Sequence, residues 1–157
     1  MVFYSRTGNT AELAEDIKEA LDADSERIVE KKDRSGFEGV TSARKDAIEG
    51  ELTKIKKVEK RPPKYDMVVV GTPVWAASLT PAVRTFLKKY KKGIRSVSFF
   101  TTSWTGEQGR VFDQMSNIIN RRPLATLSVG QNDFETGDYE DELSTFIEEI
   151  NEIAYRI

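Results

Sequence analysis

The chain has 157 residues, 38% of them apolar and 32% charged, with 24 basic side chains against 26 acidic ones and a net charge of −2. It holds no cysteine and no histidine, which excludes disulfide frameworks, thiolate nucleophiles, zinc sites built on Cys or His, and imidazole bases. The near-neutral balance gives no electrostatic case for binding nucleic acid or a membrane. Any chemistry must therefore come from hydroxyls, carboxylates, backbone groups or a borrowed cofactor. The length is that of one domain, expected to span 1–157.

Met1–Tyr4 opens the chain as a short apolar run that turns polar at Ser5. No signal-peptide h-region fits there, so a cytoplasmic protein is expected. Leu13, Ala14, Ile17, Ala20 and Leu21 then recur at helical spacing, and Arg27–Glu30 is a short strand candidate. The stretch 31–64 is highly charged and poorly periodic. Ala43, Ala47 and Ile48 suggest a helix within it, and Gly36, Gly39, Gly50, Pro62 and Pro63 suggest loops around that helix. Tyr65–Val70 is continuously apolar apart from Asp66, as a strand buried on both faces should be. It is far shorter than the ~20 residues of a membrane span.

Pro81 suits the first turn of a helix carrying Val83, Phe86, Leu87 and Tyr90. Val97–Thr101 reads as a strand, Val111–Ile119 as a helix face and Leu124–Val129 as a last strand. Leu143, Phe146, Ile147, Ile150, Ile153 and Ala154 mark the closing helix. Strict alternation predicts an α/β fold: a five-stranded, doubly wound parallel sheet with helices on both faces. Such sheets bind ligands beyond the carboxyl ends of their strands, where strand order reverses. Function should lie in the loops after the first, third and fourth strands.

The first loop is Ser5-Arg6-Thr7-Gly8-Asn9-Thr10, hydroxyls and a glycine at what should be a helix N-terminus. Unpaired N–H groups and the helix dipole favour an anion there, so a phosphate fits without a lysine. A plain N-cap at Asn9 or Thr10 is the alternative. Neither Gly-x-x-x-x-Gly-Lys-Ser/Thr nor Gly-x-Gly-x-x-Gly is present, which sets aside a triphosphate P-loop and a Rossmann fingerprint. The second loop, Gly71–Ser78, sets Trp75 among small residues, and the third, Thr102–Gly109, holds the only other tryptophan, Trp104. Each indole offers a flat face for a conjugated ring. Ordinary packing of Trp75 and a surface-lid role for Trp104 remain open.

Taken together these segments resemble the flavodoxins. Ser5-Arg6-Thr7-Gly8-Asn9-Thr10 looks like that family's phosphate loop. Gly71-Thr72-Pro73-Val74-Trp75 followed by Pro81–Leu87 resembles the segment after its third strand, and Phe99-Phe100-Thr101-Thr102-Ser103 its fourth strand and loop. The strand order 2-1-3-4-5, with FMN at the switch point, is the known topology of that family and not a reading of this sequence. The resemblance implies FMN as cofactor. Ser5, Thr7, Gly8, Asn9 and Thr10 would meet its phosphate. Thr72, Pro73, Val74, Trp75 and Ala76 would meet the isoalloxazine with Ser103, Trp104, Thr105 and Gly106, and Trp75 would stack on the ring. Arg6 either reaches the phosphate or faces solvent.

Flavodoxins are usually strongly acidic, and this chain is not. Its acidic residues gather at 133–142 and its basic ones at 31–61. That is either a solvated mixed surface or an acidic edge for redox partner proteins. The family also carries more residues ahead of the first apolar run, so Met1–Tyr4 is expected to form a shortened central strand. Two related folds are set aside: response regulators need acidic residues absent from Met1–Thr7, and small tyrosine phosphatases need a cysteine. The functions implied are a low-potential one-electron carrier or an FMN-dependent two-electron reductase passing electrons from a nicotinamide to a quinone or similar acceptor. The remaining option is a related fold that binds flavin poorly.

Overall fold

The computed structural model describes residues 1–156. Continuous apolar runs become strands that bury both faces, and the 3.6-period stripes become the helices that cover them. In chain order the elements are β1 (Val2–Phe3), α1 (Asn9–Leu21), β2 (Glu26–Arg27), α2 (Gly36–Glu49), β3 (Met67–Trp75) and β4 (Ser78–Leu79). They continue with α3 (Pro81–Tyr90), β5 (Ser96–Ser103), α4 (Val111–Ile119), β6 (Thr126–Gly130), α5 (Gln131–Thr136) and α6 (Glu140–Ala154). Five strands pair in parallel in the order β2-β1-β3-β5-β6, and β4 adds antiparallel to the end of β3. With β4 set apart as a hairpin extension, this is the expected 2-1-3-4-5 order.

Side chains alternate across the sheet and divide the core. Val68, Val70 and Phe99 pack with Val83, Phe86, Leu87, Val111 and Met115 from α3 and α4. Val69, Phe100, Leu127 and Val129 pack with Leu13, Ala14 and Ile17 of α1 and with Phe146 and Ile150 of α6. Helices therefore lie on both faces.

Several expectations need correction. Gly71–Trp75 is strand and not loop, because β3 runs through to Trp75 and pairs with β5 up to Pro73. The hairpin turn follows directly, at Ala76–Ala77. The second strand is Glu26–Arg27, earlier and shorter than Arg27–Glu30, and Glu30 instead makes an isolated antiparallel bridge to Ile55. The helix expected in 31–64 runs from Gly36 to Glu49, burying Gly39, Ala43 and Ala47, and Pro62–Lys64 forms a 3-10 turn. The short helix α5 has no counterpart in the sequence reading. No helix among the described residues is long and apolar enough to cross a membrane.

Candidate functional site

β1, β3 and β5 all end at one edge of the sheet, and their loops converge there. The first leads into α1 through Gly8, whose φ of 111° is open to glycine alone. The Ser5 hydroxyl oxygen accepts the N–H groups of Gly8 (3.2 Å) and Ala11 (3.3 Å), which curls the loop onto the helix end. Among the described residues the N–H groups of Arg6, Thr7, Asn9 and Thr10 have no hydrogen-bond partner. Nothing lies within 4 Å of where a Gly8 Cβ would sit. Open space over unpartnered N–H groups at a helix N-terminus is the arrangement that binds an anion.

The loop is braced from both sides. Arg6 donates from Nε (3.1 Å) and Nη2 (3.0 Å) to the carbonyl of Arg34, so it is not turned onto the helix end and remains exposed to solvent. Arg27 Nη2 donates to the Ser5 carbonyl. Thr10, buried, meets the hydroxyl of Thr102 at 2.7 Å, and Asn9 Nδ2 donates to Gln131 Oε1 at 2.6 Å. A cavity of about 580 Å³ opens beside this loop, lined by Ser5, Arg6 and Thr7 on one wall and by 27–30 and 32–36 on the other.

The second loop is a two-residue hairpin in which Val74 pairs with Leu79 and Trp75 with Ser78. Ala76 and Ala77 stand at φ 50° and 58°. Positive φ at both positions is the type I′ geometry that matches strand twist, although Asn-Gly is the usual sequence for it. Gly109 lets the hairpin seat: a Cβ there would lie 2.7 Å from the Ala77 carbonyl oxygen. Arg110 adds a backbone bond to Ala77 O (3.0 Å) and a side-chain bond to Ser78 Oγ (3.0 Å). Thr72 does not reach the crevice. It is fully buried, with its hydroxyl shared between Thr80 and the Pro73 carbonyl.

In the third loop Ser103 Oγ accepts the Gly106 N–H (2.9 Å), and Ser128 donates to the Gly106 carbonyl (2.7 Å). Trp104 is 80% exposed. Between the second and third loops lies a groove of about 300 Å³ lined by Val74, Ala76, Ala77, Ser103, Trp104 and Thr105. Arg44, Glu107 and Gly109 complete its walls. Trp75 does not line this groove. Its ring meets Tyr4 edge-on at 5.6 Å and the Arg34 guanidinium at 5.8 Å.

Arg34, beside this site, was not singled out by the sequence. Its side chain is 4% exposed and pairs with Glu30 (2.9 Å, 3% exposed) and Asp46 (2.7 Å). Burial opposes its charge, but the bonds from Glu30 and Asp46 outweigh burial and raise its pKa above the usual range. Burial likewise works against the Asp46 carboxylate, and Lys32 and Arg34 more than offset it, holding its pKa below the usual value. Tyr4 donates its hydroxyl to Glu30 (3.0 Å), and burial together with that carboxylate pushes its pKa far upward. Among the described residues no group of three or more acidic side chains is placed to hold a metal ion.

Solved structures share this architecture. A flavoprotein from Lactobacillus acidophilus NCFM, crystallised in complex with FMN, superposes with a TM-score of 0.67 at 21% identity. The match covers 88% of this chain and 95% of that one. The Streptococcus pneumoniae TIGR4 flavodoxin matches over 99% of this chain and 97% of its own, with a TM-score of 0.56 and 16% identity. The fold is flavodoxin-like. No protein-family model matches the sequence, and no curated protein does.

Proposed function

We propose that this flavodoxin-like chain binds FMN non-covalently and carries electrons between redox partner proteins. The observation that carries the reading is the open space over the free N–H groups of Arg6, Thr7, Asn9 and Thr10, at the carboxyl end of a central strand. The groove between Val74–Ala77 and Ser103–Thr105 suits a flat conjugated ring. That a Lactobacillus flavoprotein of the same fold was crystallised with FMN supports the choice of ligand.

When bound, FMN supplies the electron-accepting and electron-donating chemistry. The chain itself binds, orients and shields. The N–H groups at the start of α1 would hold the phosphate dianion, aided by the helix dipole. The hairpin and the Trp104 loop would cover the ring and exclude water from it. With no histidine or cysteine in the chain, proton exchange at the ring would fall to solvent or to a carboxylate such as Glu107 in the groove wall.

Anaerobic reductive titration of the FMN-loaded protein, followed by visible spectroscopy, tests this reading. A carrier takes up its electrons in two resolved one-electron steps and does not oxidise a nicotinamide nucleotide. A single two-electron step with rapid nicotinamide oxidation would replace the carrier with the reductase. Failure to bind FMN at all would remove both.

A further inference from the structure

We infer that Arg34 is a positioning residue for this site: its guanidinium fixes the Trp75 indole at one end while its carbonyl fixes the phosphate loop at the other. The inference rests on the FMN reading above for its meaning, though not for its geometry. Four hydrogen bonds fasten the guanidinium. Nε and Nη2 each donate at 2.9 Å to the two oxygens of Glu30, and Nη1 donates to Asp46 Oδ2 (2.7 Å) and Ser42 Oγ (3.1 Å). A bidentate arginine–carboxylate pair defines a plane as well as a distance, so the guanidinium cannot turn.

Trp75 rests against objects that are themselves fixed. The guanidinium carbon lies 5.8 Å from its ring centroid. Tyr4 meets it at an interplanar angle of 77°, and the Tyr4 hydroxyl is held by Glu30, the same carboxylate that clamps Arg34. One buried anion thus orients both neighbours of the indole. From its backbone, Arg34 accepts both Arg6 bonds, and Arg6 lies within the phosphate loop. The α2 helix approaches this backbone closely because Gly39 has no Cβ; an added one would overlap the Arg34 carbonyl at 2.0 Å.

Simple stability does not account for the arrangement, since buried ion pairs commonly contribute no more than apolar side chains of similar volume. What the pair supplies is a fixed geometry. Lysine cannot reproduce it, because a single ammonium lacks the fork that grips Glu30 and Asp46 together.

The test uses a Trp104→Phe background, in which Trp75 is the sole indole. Arg34→Lys is compared with its parent by near-UV circular dichroism and acrylamide quenching of the apoprotein, then by FMN and riboflavin titration. The expected result is loss of the fixed-indole near-UV signal, easier quenching, and about tenfold weaker binding of both ligands, because Tyr4, Glu30 and Arg34, which line the cavity beside the phosphate loop, loosen together with the indole. The preference for FMN over riboflavin is retained, because the Arg34 carbonyl still holds Arg6.

Unchanged Trp75 signals in Arg34→Lys overturn the proposal. If that variant does not fold, Asp46→Asn loosens one arm of the fork at its more exposed end. Unchanged Trp75 signals there overturn the proposal equally, and altered ones support it. The apoprotein measurements need no flavin, so a parent that binds no FMN would refute the site reading while leaving the test of Trp75 intact.

Discussion

Thr10 and Thr102 meet hydroxyl to hydroxyl at 2.7 Å beneath the crevice, joining the first turn of α1 to the end of β5 across 92 residues of sequence. Both side chains are buried. Each hydroxyl is the other's partner, so removing one strands the other. Thr10→Val is expected to destabilise the apoprotein by about 1–3 kcal/mol, the cost of a buried unsatisfied hydroxyl. The double variant Thr10→Val/Thr102→Val should recover most of that loss. Denaturant unfolding of the three variants checks it, and strictly additive losses would show that the pair does not act as a unit.

The Gly8 backbone gives a second expectation, directed at the ligand. A Cβ at this position meets no atom, so only the φ of 111° opposes a side chain. Gly8→Ala should cost about 1–2 kcal/mol for a left-handed L-residue or else reshape the loop. FMN affinity is expected to fall roughly tenfold and riboflavin affinity to stay constant. Parallel calorimetric titrations decide it: equal losses for both ligands would mean that this loop does not read the phosphate.

Strain in the hairpin is open to relief. Replacing Ala76–Ala77 by Asn-Gly, the pair suited to a type I′ turn, should stabilise the protein by about 1 kcal/mol. Gly109→Ala should do the opposite, by about 2 kcal/mol or more, since its Cβ would press on Ala77 from 2.7–2.8 Å. Thermal unfolding of both variants gives the signs, and a Gly109→Ala protein as stable as its parent would show that the hairpin seat is loose.

Alkaline pH gives a fourth expectation. Tyr139 donates its hydroxyl to Asp16 at 2.9 Å, and burial followed by that bond pushes its pKa up to about 12. The unfolded value is about 10. A raised folded pKa means the contribution is intact below pH ~10 and is lost as pH climbs from there toward 12. Tyr139→Phe should flatten stability across that window and leave its pH dependence near neutrality unchanged. Alkaline unfolding profiles that superimpose for the two proteins would refute the linkage.

Much of the architecture was legible because strands buried on both faces declare themselves. Val68-Val69-Val70 and Val97–Thr101 have no polar alternation to confuse with helix, and Ala43 and Ala47 pointed to the helix within 31–64, although Gly36 and Gly39, expected in loops, form its first turn. Gly71-Thr72-Pro73 misled because turn-type residues sit inside β3 for tertiary reasons: Gly71 makes room for the Phe100 ring, and Thr72 turns inward to Thr80. The hairpin was hidden because its turn is Ala-Ala, with none of the usual punctuation. Arg34 could not be told from the solvated lysines around it, since its burial depends on Glu30, Ser42 and Asp46 converging in space. The hydroxyls at Ser5 and Thr10 were conspicuous, but their engagement with the Gly8 and Ala11 N–H groups and with Thr102 belongs to the folded chain.

Gly71 and Phe100 lie opposite one another in neighbouring strands, and the phenyl ring fills the volume a Gly71 side chain would claim, at 2.0 Å from the hypothetical Cβ. The two positions therefore share one allotment of space at the centre of the sheet. A lineage drifting under this fold cannot enlarge position 71 unless position 100 shrinks first or in the same step. Any path through the single change at 71 would displace the ring, and with it the strand that presents Thr102 and Ser103. Descendants of this chain should vary the two sites in concert or keep both, which makes an inner-sheet glycine as binding a constraint on the sequence as any residue in the crevice.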